Sequence, residues 1–557
     1  MLAEVTQGWS GLMLDYAAVF APMVATLVKR KAELRKVLLS PMVAAPMTLA
    51  AGIGTIVMEP AMRAIEMGGS LQLAVGLGVH AAVGYCSGRL ATRSPLVSQF
   101  YRRGTLVVDS RDKTGSRSSG PSRSRLLARS RTPWSGLTLA GRPVPAEDEA
   151  KHFKLIGTTG TGKSTAIREL LAGALARGDR AILADPDGGY LERFYDEKRG
   201  DVILSPFEPK AAKWDLYGEI TSDYDIEQLA RSLIPEGEGS ERSWNGYGRT
   251  FFSAVVNQTR DGGIGDVKEL YHVLVTADAK ELKTLVEGTS AQPFLHEKNV
   301  TMFGSVRSVT SSAVSALKYI GQQEGPPLSV RKWVQSGKGV LFIPYKAGQI
   351  AALRSVVSAW MRLAIFETMN KEEGGKPLWF VVDELDALGQ IDGLKDALAR
   401  LRKFGGRCVL GFQSISQVSG TYGHAEAQTI VENCGNSLIL RCSASERGGT
   451  ASFASQLIGK REVMRISESR SRQAMQWLPS VTLSEHLTIE PAVLDSQIEQ
   501  LPDLQGYLKF ASSPEWRRVA LMPGAASQAC GMARRVWRAF KKSVAHDSHE
   551  VTNGLER

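Results

Sequence analysis

The stretch from Gly157 to Thr165, GTTGTGKST, constrains the fold of this chain more than any other. Its spacing of glycines before Lys and Ser matches a phosphate-binding loop. Gly157, Thr158, Thr159, Gly160, Thr161 and Gly162 are small, so the backbone can wrap a triphosphate with several N–H groups facing it. Lys163 is expected to reach the β- and γ-phosphates, Ser164 to place its hydroxyl on Mg²⁺, and Thr165 to open the following helix. The flanks agree. His152–Ile156 reads as a short strand, and apolar Ile167, Leu170, Leu171, Ala174 and Leu175 recur at helical spacing over Ser164–Arg177. A glycine-rich turn without a ligand would not need that strand and helix. The chain is expected to bind a nucleoside triphosphate.

A second stretch completes the expectation. LWFVVDE, Leu378–Glu384, is an apolar run ending in two acids, the form of a buried parallel strand that delivers carboxylates to its rim. Asp383 is expected in the Mg²⁺ shell opposite Ser164, and Glu384 as the base that activates water. Cys408–Phe412 reads as another strand, ending in Gln413, which either senses the γ-phosphate or caps the next loop. Ala181–Ala184 is a further short strand. Asp185 at its tip faces the same choice between nucleotide and turn. From Ala211 to Gly325 the texture turns helical, with Asp225–Leu233, Trp244–Arg260, Val267–Val275 and Ala279–Glu287 as helices. An all-α insertion, 211–325, thus separates nucleotide-domain segments 135–210 and 326–521.

At the N-terminus, Val37–Met58 and Met67–Gly88 carry no Asp, Glu, Lys or Arg and are long enough to cross a bilayer. Lys29, Arg30, Lys31, Arg35 and Lys36 precede the pair, and Arg89, Arg93, Arg102 and Arg103 follow it. That asymmetry predicts a transmembrane hairpin, 37–88, with both ends cytoplasmic. Residues 1–36 are then an N-terminal cytoplasmic or interfacial segment. Within it, Trp9–Val28 is apolar but interrupted by Asp15 and Pro22, and reads as an interfacial or packed helix, the alternative being a third span. A cleavable signal peptide does not fit. Residues 89–134 read as a basic flexible linker, either a tether near anionic lipid or a guide for nucleic acid. Residues 522–557 form a basic tail around Trp537 and Phe540. The net charge of +11 favours an anionic partner. The five cysteines show no metal-ligand spacing and read as reduced thiols.

The motifs GTTGTGKST, LWFVVDELDALGQ, RLRKFGGRCVLGFQSISQV and TYGHAEAQTIVENC, in this order, resemble the coupling-protein ATPases of type IV secretion and conjugation, the TrwB/TraD family. The likeness runs from about Leu137 to Ala511. It implies a RecA-like α/β P-loop domain with an inserted all-α domain behind a two-helix membrane hairpin. It further implies a homo-hexameric ring in the bacterial inner membrane that hydrolyses ATP with Mg²⁺. Such a ring links a relaxase and its single-stranded DNA to the secretion channel. By motif, Lys163, Ser164, Asp383 and Glu384 take the phosphate, metal and base roles. Arg402, in RLRKFGG, matches the family's proposed arginine finger, and Gln413 its glutamine motif. The alternatives are a motor for double-stranded DNA or protein effectors, and a docking receptor whose ATPase activity is secondary. An ABC transporter is disfavoured, because no LSGGQ-like signature occurs.

Overall fold

The computed structural model describes residues 2–30, 32, 37–65, 68–91, 98–109, 134–237, 239–445, 449–471 and 480–523. It divides into two compact units, Met1–Tyr101 with Val463–Thr488, and Arg102–Glu462 with Ile489–Arg557.

Among the described residues, the long helices of the first unit are Leu2–Lys29, Ser40–Ala64 and Gly69–Ala91. Leu2–Lys29 runs through Asp15 and Pro22 without a break. Among the described residues, its segment Ser10–Lys29 and the helix Ser40–Ala64 are the two long and apolar enough to cross a membrane. The expected second span is also helical, as Gly69–Ala91, but Gln72, His80 and its glycines make it less apolar, and it is not one of the two. It packs closely on Leu2–Lys29. A Cβ at Gly84 would overlap the carbonyl of Val19, and one at Gly88 would lie 2.9 Å from the Met23 carbonyl. Glycines spaced this way let two backbones meet. His80 Nδ1 lies 2.8 Å from the Gly76 carbonyl, a bond within its own helix.

Two boundaries differ from expectation. The expected linker already contains strands Ser98–Gly104 and Leu106–Asp109. Residues 92–97 and 110–133 of it lie outside the described residues, as does the basic tail from 524 onward. The expected second half of the nucleotide domain, 326–521, is also interrupted. Val463–Thr488 belongs to the first unit, and Lys460–Ser471 and Ser480–Pro491 pair in a three-stranded sheet with Ser98–Gly104. The partner strand stands far away in sequence, and local pattern reading cannot see such a pairing.

The second unit is built on a ten-stranded sheet. Phe153–Ile156 sits between Gly406–Phe412 and Asn436–Ile439, all parallel. Leu378–Val382 lies between Gly406–Phe412 and Arg180–Pro186, followed by Val340–Tyr345 and Val202–Ile203, again parallel. Antiparallel strands Gln505–Lys509 and Glu515–Ala520 extend the other side, and Leu106–Asp109 closes it. The central strands are buried throughout, which explains their continuous apolar runs. One face carries the helix Lys163–Arg177 over Leu155, Leu183 and Val381. The other carries Ile350–Met369 over Ile182, Phe380 and Leu410.

Between Asp223 and Gly321 the described elements are helices, including Asp223–Leu233, Glu241–Asp261 and Val300–Ala313. Only the pair Lys213–Trp214 with Pro327–Leu328 adds strand at its root. Phe251 and Phe303 meet edge to face at 5.3 Å in its core. Buried Arg362 joins it to the sheet layer, donating to Ser232 Oγ at 3.0 Å and to the Gln228 carbonyl at 3.1 Å. Arg331 adds a second tie, pairing with Asp225 and, at 3.0 Å, with Glu367.

Candidate nucleotide site

The phosphate-loop strand and the acid strand are not neighbours. Gly406–Phe412 lies between them, so Gln413 emerges between the loop and the acids. Strand order, which no local pattern encodes, thus brings three sequence-distant signals to one carboxyl-terminal edge. They line a cavity of about 290 Å³ that includes Thr159, Gly160, Gly162, Lys163, Ser164, Thr165, Asp383, Glu384 and Gln413. Gly160 and Gly162 have φ of 77° and 115°, a region that a Cβ disfavours, and this lets the loop fold back onto its helix. Gly157, Thr158 and Thr161 build the loop itself. Gly157 N donates to the Phe412 carbonyl at 3.1 Å, Thr158 N to the Arg441 carbonyl at 2.9 Å, and Thr161 Oγ1 to the Thr158 carbonyl at 2.7 Å.

Lys163 is buried and donates to the carbonyls of Gly157 at 2.6 Å and Thr158 at 3.1 Å. Burial lowers its pKa, opposed by the nearby charges of Asp383 and Glu384. Ser164 Oγ donates to Asp383 Oδ2 at 2.6 Å. Asp383 Oδ1 is buried without a hydrogen-bond partner. A hydroxyl beside a carboxylate with a spare oxygen is a hard-oxygen donor set that fits Mg²⁺. Among the described residues no cluster of three His, Cys, Asp or Glu could hold a metal. Mg²⁺ bound largely through substrate phosphates does not need one.

Glu384 accepts a bond from Gln413 Nε2, and Gln413 Oε1 accepts one from Thr159 Oγ1 at 3.0 Å. Gln413 therefore bridges the loop and the acid. Burial, and then the charge of Asp383, raise the Glu384 pKa above the ordinary glutamate value. Asp185 is resolved in favour of the turn. Its buried carboxylate accepts from Tyr190 N at 3.0 Å and Leu191 N at 2.6 Å, and burial pushes its pKa up to about 6.

Arg402 is not brought to this cavity within the chain. It is exposed on the turn Arg402–Phe404, which enters the amino-terminal end of Gly406–Phe412. Gln413 lies at the other end of that strand, roughly 20 Å away at the usual rise per residue.

Two cavity residues escaped the motif reading. Tyr190 is buried and its hydroxyl donates to Asp383 Oδ2 at 2.8 Å, the same oxygen that Ser164 uses. Arg168 lies over the Tyr190 ring at 5.5 Å from its centroid and lines the cavity. One signal was available for Arg168, its position four residues after Ser164 on one helix face. Tyr190 had none, since its approach to Asp383 is purely tertiary.

With this geometry described, likeness to known proteins can be stated. Residues 136–522 match the family of the type IV secretion-system coupling protein DNA-binding domain. The coupling protein TraD of Escherichia coli (strain K12) is 30% identical over 382 residues, covering 67% of this chain and 53% of TraD. The chain thus spans about half the length of that relative. The solved structure of the plasmid coupling protein TrwB with an ATP analogue superposes with a TM-score of 0.64 at 30% identity. That match covers 76% of this chain and 94% of the TrwB chain. TrwB with ADP and Mg²⁺ gives a TM-score of 0.60 at 31% identity, covering 69% of this chain and 88% of TrwB. A nucleotide-binding P-loop fold on a sheet of this order, matched over most of its length, makes this chain a member of the type IV secretion coupling-protein family of TrwB and TraD.

Proposed function

We propose that this protein is a membrane-anchored ATPase that moves DNA, coupling a relaxase-bound single strand to a type IV secretion channel. The observation that carries the reading is the convergence of Lys163, Ser164, Asp383, Glu384 and Gln413 on one cavity in a chain of this family. The candidate spans Ser10–Lys29 and Ser40–Ala64 support anchoring in the inner membrane.

In the proposed reaction Lys163 exchanges its loop carbonyls for phosphate oxygens. Ser164 and Asp383 would hold Mg²⁺, which when bound would neutralise phosphate charge. Tyr190 keeps the Asp383 carboxylate oriented. Glu384 accepts the proton of the attacking water, a role that a raised pKa favours by making the carboxylate a stronger base. Gln413, released from Glu384, orients that water or the γ-phosphate. Arg402 acts on the phosphate of an adjacent subunit in a hexameric ring, because its own cavity lies at the opposite sheet edge. A pure docking receptor would need neither the base nor the finger.

The test is ATP hydrolysis by the full-length protein in detergent or nanodiscs, with and without single-stranded DNA. Hydrolysis stimulated by DNA and abolished by Lys163→Ala is expected. Absence of hydrolysis under every condition would replace the motor with a receptor.

A further inference from the structure

A second cavity, of about 590 Å³, opens where the helical insertion meets the sheet layer. It is lined by Trp244 and Asn245 on the helix Glu241–Asp261, Ser312 on Val300–Ala313, Arg354 on Ile350–Met369, and the loop residues Gly389 and Gln390. Neither the phosphate loop nor the acidic pair reaches it.

Its chemistry is specific. Trp244 is 36% exposed, unusually open for so large an apolar ring, and Tyr247 is 39% exposed beside it. The two rings stand edge to face at 5.9 Å, and Tyr247 is backed by Phe294 at 5.7 Å, so the outer ring rests on a rigid support. Arg354 and Ser312 are exposed in the same cavity, and Glu241 is the one acid in its lining. A flat aromatic face next to a cation, hydroxyls and an amide is what a single nucleic-acid strand requires. Bases stack without regard to sequence, and the backbone phosphates take the polar groups. The volume suits a ligand of nucleotide size.

The cavity also touches the segment that carries the base. Arg354 Nε donates to the Ala387 carbonyl at 3.1 Å, and Ser358 Oγ bonds the Leu388 carbonyl. Tyr422 Oη donates to the Gly389 carbonyl at 3.2 Å. These bonds fix the turn Asp386–Leu388 directly after Asp383 and Glu384.

We propose that this cleft is a contact site for single-stranded DNA, with a base stacked on Trp244 and phosphate held by Arg354 and the Ser312 side. The inference rests on the DNA-motor reading and adds to it a route to the active site. A strand seated against Arg354, Gly389 and Gln390 bears on the loop that positions Glu384.

The experiment uses the full-length protein in nanodiscs and a fluorescent oligothymidine carrying 4-thiothymidine for photo-crosslinking. Crosslinks are expected in the peptide containing Trp244. Trp244→Ala is expected to weaken binding roughly tenfold, as loss of a stacked base does. Trp244→Phe should recover most of that loss, and Ser312→Glu, which places a like charge in an exposed position, should weaken binding several-fold. If the oligonucleotide binds but crosslinks elsewhere, and both Trp244→Ala and Ser312→Glu bind within twofold of the parent, the cleft is not a DNA site. In that case it is left to a protein partner while the motor reading stands. If the parent binds no single-stranded DNA, both readings fall.

Discussion

The two edges of the central sheet are built on opposite principles. At the amino-terminal edge, charged groups are closed on one another. Glu149 takes both Arg177 nitrogens at 2.8 Å and Arg407 at 3.2 Å, while Asp179 pairs with Arg177 and accepts from Trp379 Nε1 at 2.9 Å. His152 is equally committed, with Nδ1 accepting from Cys408 N at 3.0 Å and Nε2 donating to the Leu398 carbonyl at 2.9 Å. At the carboxyl-terminal edge the polar groups are left partly unspent. Asp383 keeps a buried oxygen without a partner, Lys163 binds only loop carbonyls, and burial raises the pKa of Glu384. One edge stabilises the fold and the other holds interactions in reserve for a ligand. Arg402 breaks the pattern as an exposed cation on the closed edge, and in the proposed reaction it serves another subunit's open edge.

The sharpest way to break this comparison is Arg402→Ala. If Arg402 serves a neighbouring site, hydrolysis should fall by about 10³–10⁵-fold while nucleotide affinity stays near that of the parent. Mixing this variant with Lys163→Ala should restore part of the activity, since some interfaces then combine an intact loop with an intact finger. Formation of mixed rings without recovery would return Arg402 to the closed edge as an ordinary surface charge. Next in size, Glu384→Gln should slow turnover by about 10²–10⁴-fold. Its amide can still accept from Gln413, so ATP binding measured by a fluorescent analogue should persist. Failure to bind would make Glu384 part of the scaffold.

Tyr190→Phe removes one hydroxyl from Asp383 and leaves the ring under Arg168. Magnesium should then bind about 10- to 100-fold more weakly, as losses of such supporting bonds do. The readout is the Mg²⁺ concentration needed for tight nucleotide binding, and an unchanged requirement would remove Tyr190 from the metal's support.

The smallest effect is on stability and differs in sign between the edges. Burial lowers His152 from 6.5 to about 4. The unfolded chain therefore takes up the proton first as pH falls, and the fold loses stability between about pH 6.5 and 4. The loss is on the order of 3 kcal/mol, and His152→Gln should flatten it in thermal melts across that range. Asp185, raised from 3.8 to about 6, runs the other way, since its contribution is full below 3.8 and lost as pH rises through 6. Asp185→Asn should remove that opposing slope.

Much of the open edge was legible from the chain alone. A phosphate loop needs glycines with positive φ, a lysine and a hydroxyl within a few residues. A buried parallel strand must be apolar until it reaches the rim where Asp383 and Glu384 stand. Such local requirements leave local marks, so the phosphate-loop helix, the acid strand and the helical texture after Ala211 could all be read. Asp185 could not be assigned, because a carboxylate at a strand tip serves a turn as readily as a ligand. The apolar helix Leu2–Lys29 extends further than its apolar stretch Trp9–Val28, because neither Asp15 nor Pro22 interrupts it. Strand order was decided only in three dimensions. By inserting Gly406–Phe412 between the loop strand and the acid strand, it set Gln413 between Thr159 and Glu384 and left Arg402 at the far edge. The hydroxyl of Tyr190 on Asp383 and the return of Val463–Thr488 to the first unit are of the same kind. The sequence alone determined which residues can do chemistry, because backbone conformation and hydrophobic period are set by near neighbours. Which of them meet was settled by pairing between distant segments, whose partners are chosen by packing across the whole sheet.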